Sequence, residues 1–259
     1  MDYSIEKLTQ VLTWRQEVGA SDVINMIKLA NGPENAPEAL ANPQRLTRCK
    51  ALATALNTGS QYFHGLTKDG KPILWVRTNR KFWYPDVDAE LKALMLLVDA
   101  GIAAMPKGVT EFIVVSDSTS PPPPNPSYMI GVLKALVKGY PDRLGFLISA
   151  PVSGIIQFVM TLLTPLMPGR LNKKFILTDI AKMCVKLEEI MPNGKEDIPT
   201  FFGGTANHDE FYPEDYYSPN RGQGTLKFDY YGMVERLQEA KREFEAKQEF
   251  EASQGSEVN

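Results

Sequence analysis

Ser116-Asp117-Ser118 stands at the end of an apolar, β-branched run, and a hydroxyl beside a carboxylate is one beginning of nucleophilic chemistry. The base such a hydroxyl needs is missing from the pattern. The two histidines, His64 and His208, have no motif around them, and no G-x-S-x-G elbow occurs. Cys49 and Cys184 share no metal-ligand spacing with the histidines and form no disulfide framework. No P-loop and no G-x-G-x-x-G is present, so no nucleotide cofactor is expected. Phe202-Gly203-Gly204 is too short for a phosphate loop and reads as a backbone turn. Asp117 reads as a cap or ion-pair partner at the strand's end. The expectation is a protein that is not an enzyme and carries no cofactor or metal.

What remains is a device for physical binding. From Leu144 to Gly169 no residue is charged. A membrane span needs about 20 apolar residues, and Pro151 and Pro165 bound the helical part well short of that. Ser153, Gln157, Thr161 and Thr164 recur at helical spacing on one side, while Ile155, Ile156, Phe158, Val159, Leu162 and Leu163 cover the others. Such a helix is either a buried core helix or a cover over a cavity that can meet a bilayer.

The flanking elements alternate in period. Ser4 to Gly19, Ser21 to Gly32 and Gln44 to Leu56 read as helices, with Pro33 to Pro43 as a loop. Tyr62 to Leu66 and Ile73 to Thr78 read as strands around a Lys68-Asp69-Gly70-Lys71 turn. A helix capped by Asp86 or Asp88 follows, then a strand at Phe112 to Val115, a helix from Ser127 to Gly139 and a strand at Leu144 to Ser149. A strand at Lys173 to Leu177 and a helix from Asp179 to Met191 complete the alternation. Such alternation predicts an α/β fold: a mostly parallel β-sheet flanked by helices enclosing an apolar pocket, with a small N-terminal helical lobe. Asn207 to Gly224 reads as irregular. Asp229 to Ala252 is a charged helix whose narrow stripe of Met233, Leu237, Ala240 and Phe244 docks it on the domain.

The bulk numbers fit a globular chain. It has 259 residues, 43% hydrophobic and 23% charged, with a net charge of −3 that gives no reason to expect nucleic acid. Asp2, Glu6, Lys7, Arg15 and Glu17 speak against a signal peptide, and a reducing, cytoplasmic setting is expected. Asn79 to Pro85 mixes cations with aromatics, so Lys81 and Trp83 read either as headgroup contacts or as parts of an ordinary loop with Trp83 buried. Pro121 to Pro126 holds five prolines and reads as a stiff surface loop or a ligand for a proline-reading protein partner.

The motifs also stand in a recognisable order. Asp69-Gly70-Lys71-Pro72 is followed by Asp117, then Tyr140-Pro141-Asp142-Arg143, Ser149-Ala150-Pro151 and the uncharged helix. Asn172-Lys173-Lys174-Phe175-Ile176-Leu177 and Ile198-Pro199-Thr200-Phe201-Phe202-Gly203-Gly204 close the series. From about Gln61 to Gly204 the chain resembles the CRAL-TRIO family, which includes phosphatidylinositol/phosphatidylcholine transfer proteins and retinal- and tocopherol-binding proteins. The family's motifs run Y-P-E-R, N-A-P, a gate helix, a lysine-bearing strand and F-G-G.

The resemblance implies that residues 153–164 form a gate over a lipid pocket. In phosphatidylinositol-binding members the Y-P-E-R glutamate and the strand lysine lie near the inositol headgroup, and these positions are Asp142 and Lys173 here. The ligand-binding candidates are Asp142, Arg143, Lys173, Arg170, Ile155, Phe158, Val159, Leu162, Phe112 and Val114. The candidates for membrane contact are Phe158, Leu163, Lys81 and Trp83. The alternative for Asp142 and Arg143 is a local ion pair or a helix cap. Three departures stand out. Arg170 replaces a small hydroxyl residue three positions before the strand lysine. Phe112 and Val114 replace the Ser/Thr pair that helps hold phosphocholine. The N-terminal lobe is short, starting close to Trp14-Arg15. The expected organisation is residues 1–58 as an N-terminal helical lobe, 59–206 as the lipid-binding domain, and 207–259 as an irregular segment and charged helix. The expected activity is binding and transfer or presentation of a lipid, with a phosphatidylinositol-like lipid as the candidate, by a monomer attached transiently to a membrane surface. The alternative is a regulatory scaffold without transport.

Overall fold

In the computed structural model residues 2–30, 42–81, 86–212 and 226–256 are described. A five-stranded sheet runs in the order β1 (Gln61–Leu66), β2 (Pro72–Arg77), β3 (Phe112–Asp117), β4 (Leu144–Ala150), β5 (Phe175–Leu177). β1 and β2 are antiparallel and every other pairing is parallel, as the alternation of strand and helix requires. The hairpin turns at Gly70, whose φ is +76 and whose N–H donates to Thr67 O at 2.8 Å. A Cβ there would lie 2.7 Å from the Phe244 ring, so glycine is required by conformation and by space.

The helices described are α1 (Asp2–Glu17), α2 (Ala20–Ala30), α3 (Pro43–Asn57), α4 (Val87–Ala103), α5 (Pro126–Lys134), α6 (Gly154–Leu163), α7 (Gly169–Asn172), α8 (Ile180–Ile190) and α9 (Tyr230–Ser256). Polar side chains start many of them: Asn42 caps α3, Asp86 caps α4, Asn125 caps α5, Ser153 caps α6 and Asp179 caps α8. Sequential strand order with right-handed crossovers puts the helices between β2 and β5 on one face of the sheet. Gly101 of α4 lets that helix settle on the Phe63 ring, where a Cβ would come within 2.5 Å. The Pro121 to Pro126 segment leads straight into α5, with Pro122 buried and Pro126 opening the helix. No described helix is long and apolar enough to cross a membrane.

On the other face Trp75 packs against Phe201, Phe202 and His208. Tyr62 stacks on Tyr212 at 4.0 Å, and its hydroxyl lies 3.1 Å from His208 Nδ1. His64, re-aimed by a bulge between Phe63 and Leu66, lies 4.4 Å from His208, ring to ring. Burial lowers both imidazoles, His64 to about 4 and His208 to about 2, with Arg236 adding to the first and His64, Arg77 and Arg80 to the second. Both rings are therefore neutral structural groups. Arg77 and Arg80 both bond Asp209, and Arg80 also donates to Gly59 O at 3.1 Å. α9 then covers the β1 edge, with Met233 and Leu237 in the same hydrophobic core as Trp14, Leu52 and Trp75.

Two expectations about cationic positions are corrected here. Lys81, expected at a headgroup layer, is buried and paired with Glu90 in the first turn of α4. An ammonium sealed against a carboxylate cannot reach a membrane. Its companion Trp83 lies outside the described residues. Lys173 caps the end of α7, and β5 begins only at Phe175, so Lys173 is not a strand residue.

Candidate functional site

The Tyr140-Pro141-Asp142-Arg143 turn is held from below. Gly139 leaves room for Trp14 of α1, which meets the Tyr140 ring edge-on at 6.0 Å. The Tyr140 hydroxyl donates to Asp99 Oδ1 at 2.9 Å, and Arg15 grips the same carboxylate at 2.9 and 2.7 Å. Asp142 sits on this support in the left-handed region, φ +60, a conformation that short polar side chains tolerate. Its carboxylate accepts a hydrogen bond from Lys7 of α1 and lies 3.5 Å from Arg170 of α7. The Lys7 bond, followed by the charges of Lys7, Arg170 and Lys174, holds this carboxyl below its usual range.

Asp142 and Arg170 thus meet and share a niche of about 70 Å³ with Tyr140, Pro168 and Lys174. Arg143 does not join them, because it donates to Thr110 O at 3.1 Å. Lys173 is exposed and outside the residues lining the niche. Its neighbour Lys174 turns in, to Glu111 at 3.1 Å and to the Leu144 carbonyl. Lys7 was missed by sequence reasoning. Its signal was its place on the face of α1 that carries Val11 and the buried Trp14, at helical spacing.

α6 starts at the opposite end of β4 and returns toward this niche. Not one of its residues is buried. Ile155, Phe158 and Leu162 form an exposed outer stripe, Phe158 at 54% exposure, continued by Leu166. Ile156, Val159, Met160 and Leu163 form the half-buried side. Of the expected ligand contacts on this helix, Val159 lies on the half-buried side, whereas Ile155, Phe158 and Leu162 point out. Leu163, expected at the bilayer, shares the half-buried side with Val159, because one residue of helix rotates a side chain by about 100°. The polar stripe is largely satisfied within the helix: Thr161 donates to Gln157 O at 2.9 Å and Thr164 to Met160 O at 2.7 Å.

Phe112 and Val114, ligand candidates from the sequence, lie in the sheet core. Phe112 is 1% exposed, with its ring against Phe63 at 5.8 Å, and Val114 is buried beside it on the sheet. Ser118 hydrogen-bonds both Ser116 and Ser149, and Asp117 accepts from Thr119 N at 2.9 Å. Among the described residues none of these serines bonds a histidine, so no nucleophile–base pair is assembled there. No group of three or more His, Cys, Asp or Glu side chains among the described residues is placed to hold a metal ion.

A family model described as the CRAL/TRIO domain matches residues 56–204, more than half of the chain. No curated protein matches it.

Proposed function

The chain belongs to the CRAL/TRIO domain family, and from that premise we propose that it holds one lipid under α6 and exchanges it at a membrane by moving that helix. Members bind or transfer lipophilic ligands in general. The observation that carries the finer reading is that the most apolar helix of the fold buries none of its residues. An acyl chain costs about 0.8 kcal/mol per methylene to hold in water, so a carrier must enclose it. A helix that covers such a ligand is half-buried on one side. A helix that also contacts a bilayer is apolar on another. α6 has both sides.

The polar end of the ligand is assigned to the Asp142–Arg170 end, with Lys173 beside it. Arg170 lies 3.5 Å from the half-exposed Asp142 carboxylate, and its guanidinium offers a phosphate two-pronged geometry. A phosphatidylinositol-like headgroup fits this end. Phosphatidylcholine is disfavoured because Phe112 and Val114 offer no hydroxyl and are closed off. The protein performs no covalent step in this reading. Its membrane attachment is peripheral and transient, from the cytoplasmic side.

The test is Phe158→Asp. The fold is expected to survive, since that side chain is exposed, while vesicle binding and lipid loading fall by at least about tenfold. Extraction and mass spectrometry of the bound molecule identify the headgroup. Unchanged loading in the variant sinks the gate, and a bound lipid without phosphate sinks the headgroup assignment.

A further inference from the structure

A second recess, of about 700 Å³, lies against the β1–β2 hairpin and shares no lining residue with the Asp142 niche. It is walled by the turn after α8 on one side and by α9 on the other, and α9 lies beyond the matched family region. Its floor is apolar: Ile73 and Met191 are buried, and Phe244 is half-buried above them. Its rim is acidic. Glu196 and Asp197 stand on the α8 side, Glu243 and Glu251 on α9. Lys68 and Lys247 are the two cations of the lining, and Lys68 is engaged with the Glu189 carbonyl at 2.9 Å. Glu196, Glu243 and Glu251 are exposed, and none of them forms an ion pair among the described residues.

We propose that this recess docks a basic amphipathic helix of a partner protein. The α9 wall runs from Ala240 to Glu251, about 16 Å, which is three turns of a helix laid alongside it. A small-molecule pocket is enclosed and has few polar groups, whereas this recess has charged walls standing in water. An apolar floor between acidic walls is the complement of a helix with leucine-like residues on one face and lysines or arginines flanking them. The same walls repel an anionic bilayer. This side of the molecule therefore faces a protein while α6 faces the lipid.

The probe is a fluorescein-labelled amphipathic peptide of leucine and lysine about four turns long, titrated with the full chain at low salt and read by anisotropy. Binding is expected to weaken at least about tenfold in the triple variant Glu196→Lys, Glu243→Lys, Glu251→Lys, and to stay within about twofold in the triple variant Glu6→Lys, Glu17→Lys, Glu249→Lys, an equal charge change outside the recess. All six positions are exposed, so the variants fold, and circular dichroism verifies it. No binding of the peptide, equal binding by the recess variant, or equal loss in the control variant overturns the proposal.

Discussion

α6 and α9 exchange the roles their compositions announce. α6 has no charge and buries nothing, whereas α9 is dense with Glu, Lys and Arg yet sinks Met233 and Leu237 fully into the core. Burial follows the geometry of a stripe and what lies opposite it, and total apolarity decides little. The narrow stripe of α9 meets the sheet edge at β1. The wide apolar surface of α6 has only α5 and the following turn as its main packing partners among the described elements. An apolar helix left in this state is set aside for a ligand and a bilayer, while α9 belongs to the permanent structure.

Substitutions test that division most sharply where the permanent structure is tightest. Lys81→Ala strands Glu90 as a buried charge without its ammonium and is expected to destabilise by about 3–5 kcal/mol in a denaturant titration. A loss below about 1 kcal/mol would mean that the pair is not sealed. Leu237→Ala in α9 is expected to cost about 2–5 kcal/mol, as for a core leucine. A surface-like value would show α9 undocked in solution.

Acid acts on the same side. The unfolded chain protonates a histidine near pH 6.5, while folded His64 resists until about 4. Between those values the unfolded state binds more protons, so stability falls as the pH drops from 6.5 toward 4, by about 3 kcal/mol for this ring alone. His208 acts in the same direction. Measured against His64→Gln, the wild type should lose stability across this window, and parallel pH profiles would contradict the neutral pair. The smallest effect belongs to α6: Phe158→Ala should change stability by no more than about 0.5 kcal/mol. A core-sized loss there would make α6 part of the permanent structure and end the contrast.

The elements were legible because period, caps and turn chemistry agree: β-branched runs for β2 and β3, Asp69-Gly70 for the hairpin, and Asp86, Ser153 and Asp179 as caps. Motif order singled out Asp142 and Arg170 as candidates but not their pairing. Other features were not local. Lys7 reaches Asp142 across 135 positions, which no spacing rule anticipates. Lys173 and Lys174 are adjacent cations that both precede β5, and nothing in their spacing says that Lys174 is the one that turns inward. A lysine beside aromatics reads the same whether it meets a headgroup or a buried glutamate, so Lys81 was misplaced. Phe112 and Val114 lie on a fully buried strand whose sequence does not say what packs against it.

The covering of β1 by α9 has a consequence in time. The Phe63 amide of this edge strand bonds Met233 Sδ at 3.4 Å, a partner 170 positions later in the chain. At about 5–20 residues per second on a ribosome, the edge waits roughly 10–30 s for its cover. Through that interval the nascent sheet ends in an unpaired strand, the usual starting point for aggregation. The bulge at His64 and Gly65 interrupts the row of hydrogen-bonding groups along that edge, so the strand is guarded before its cover is made.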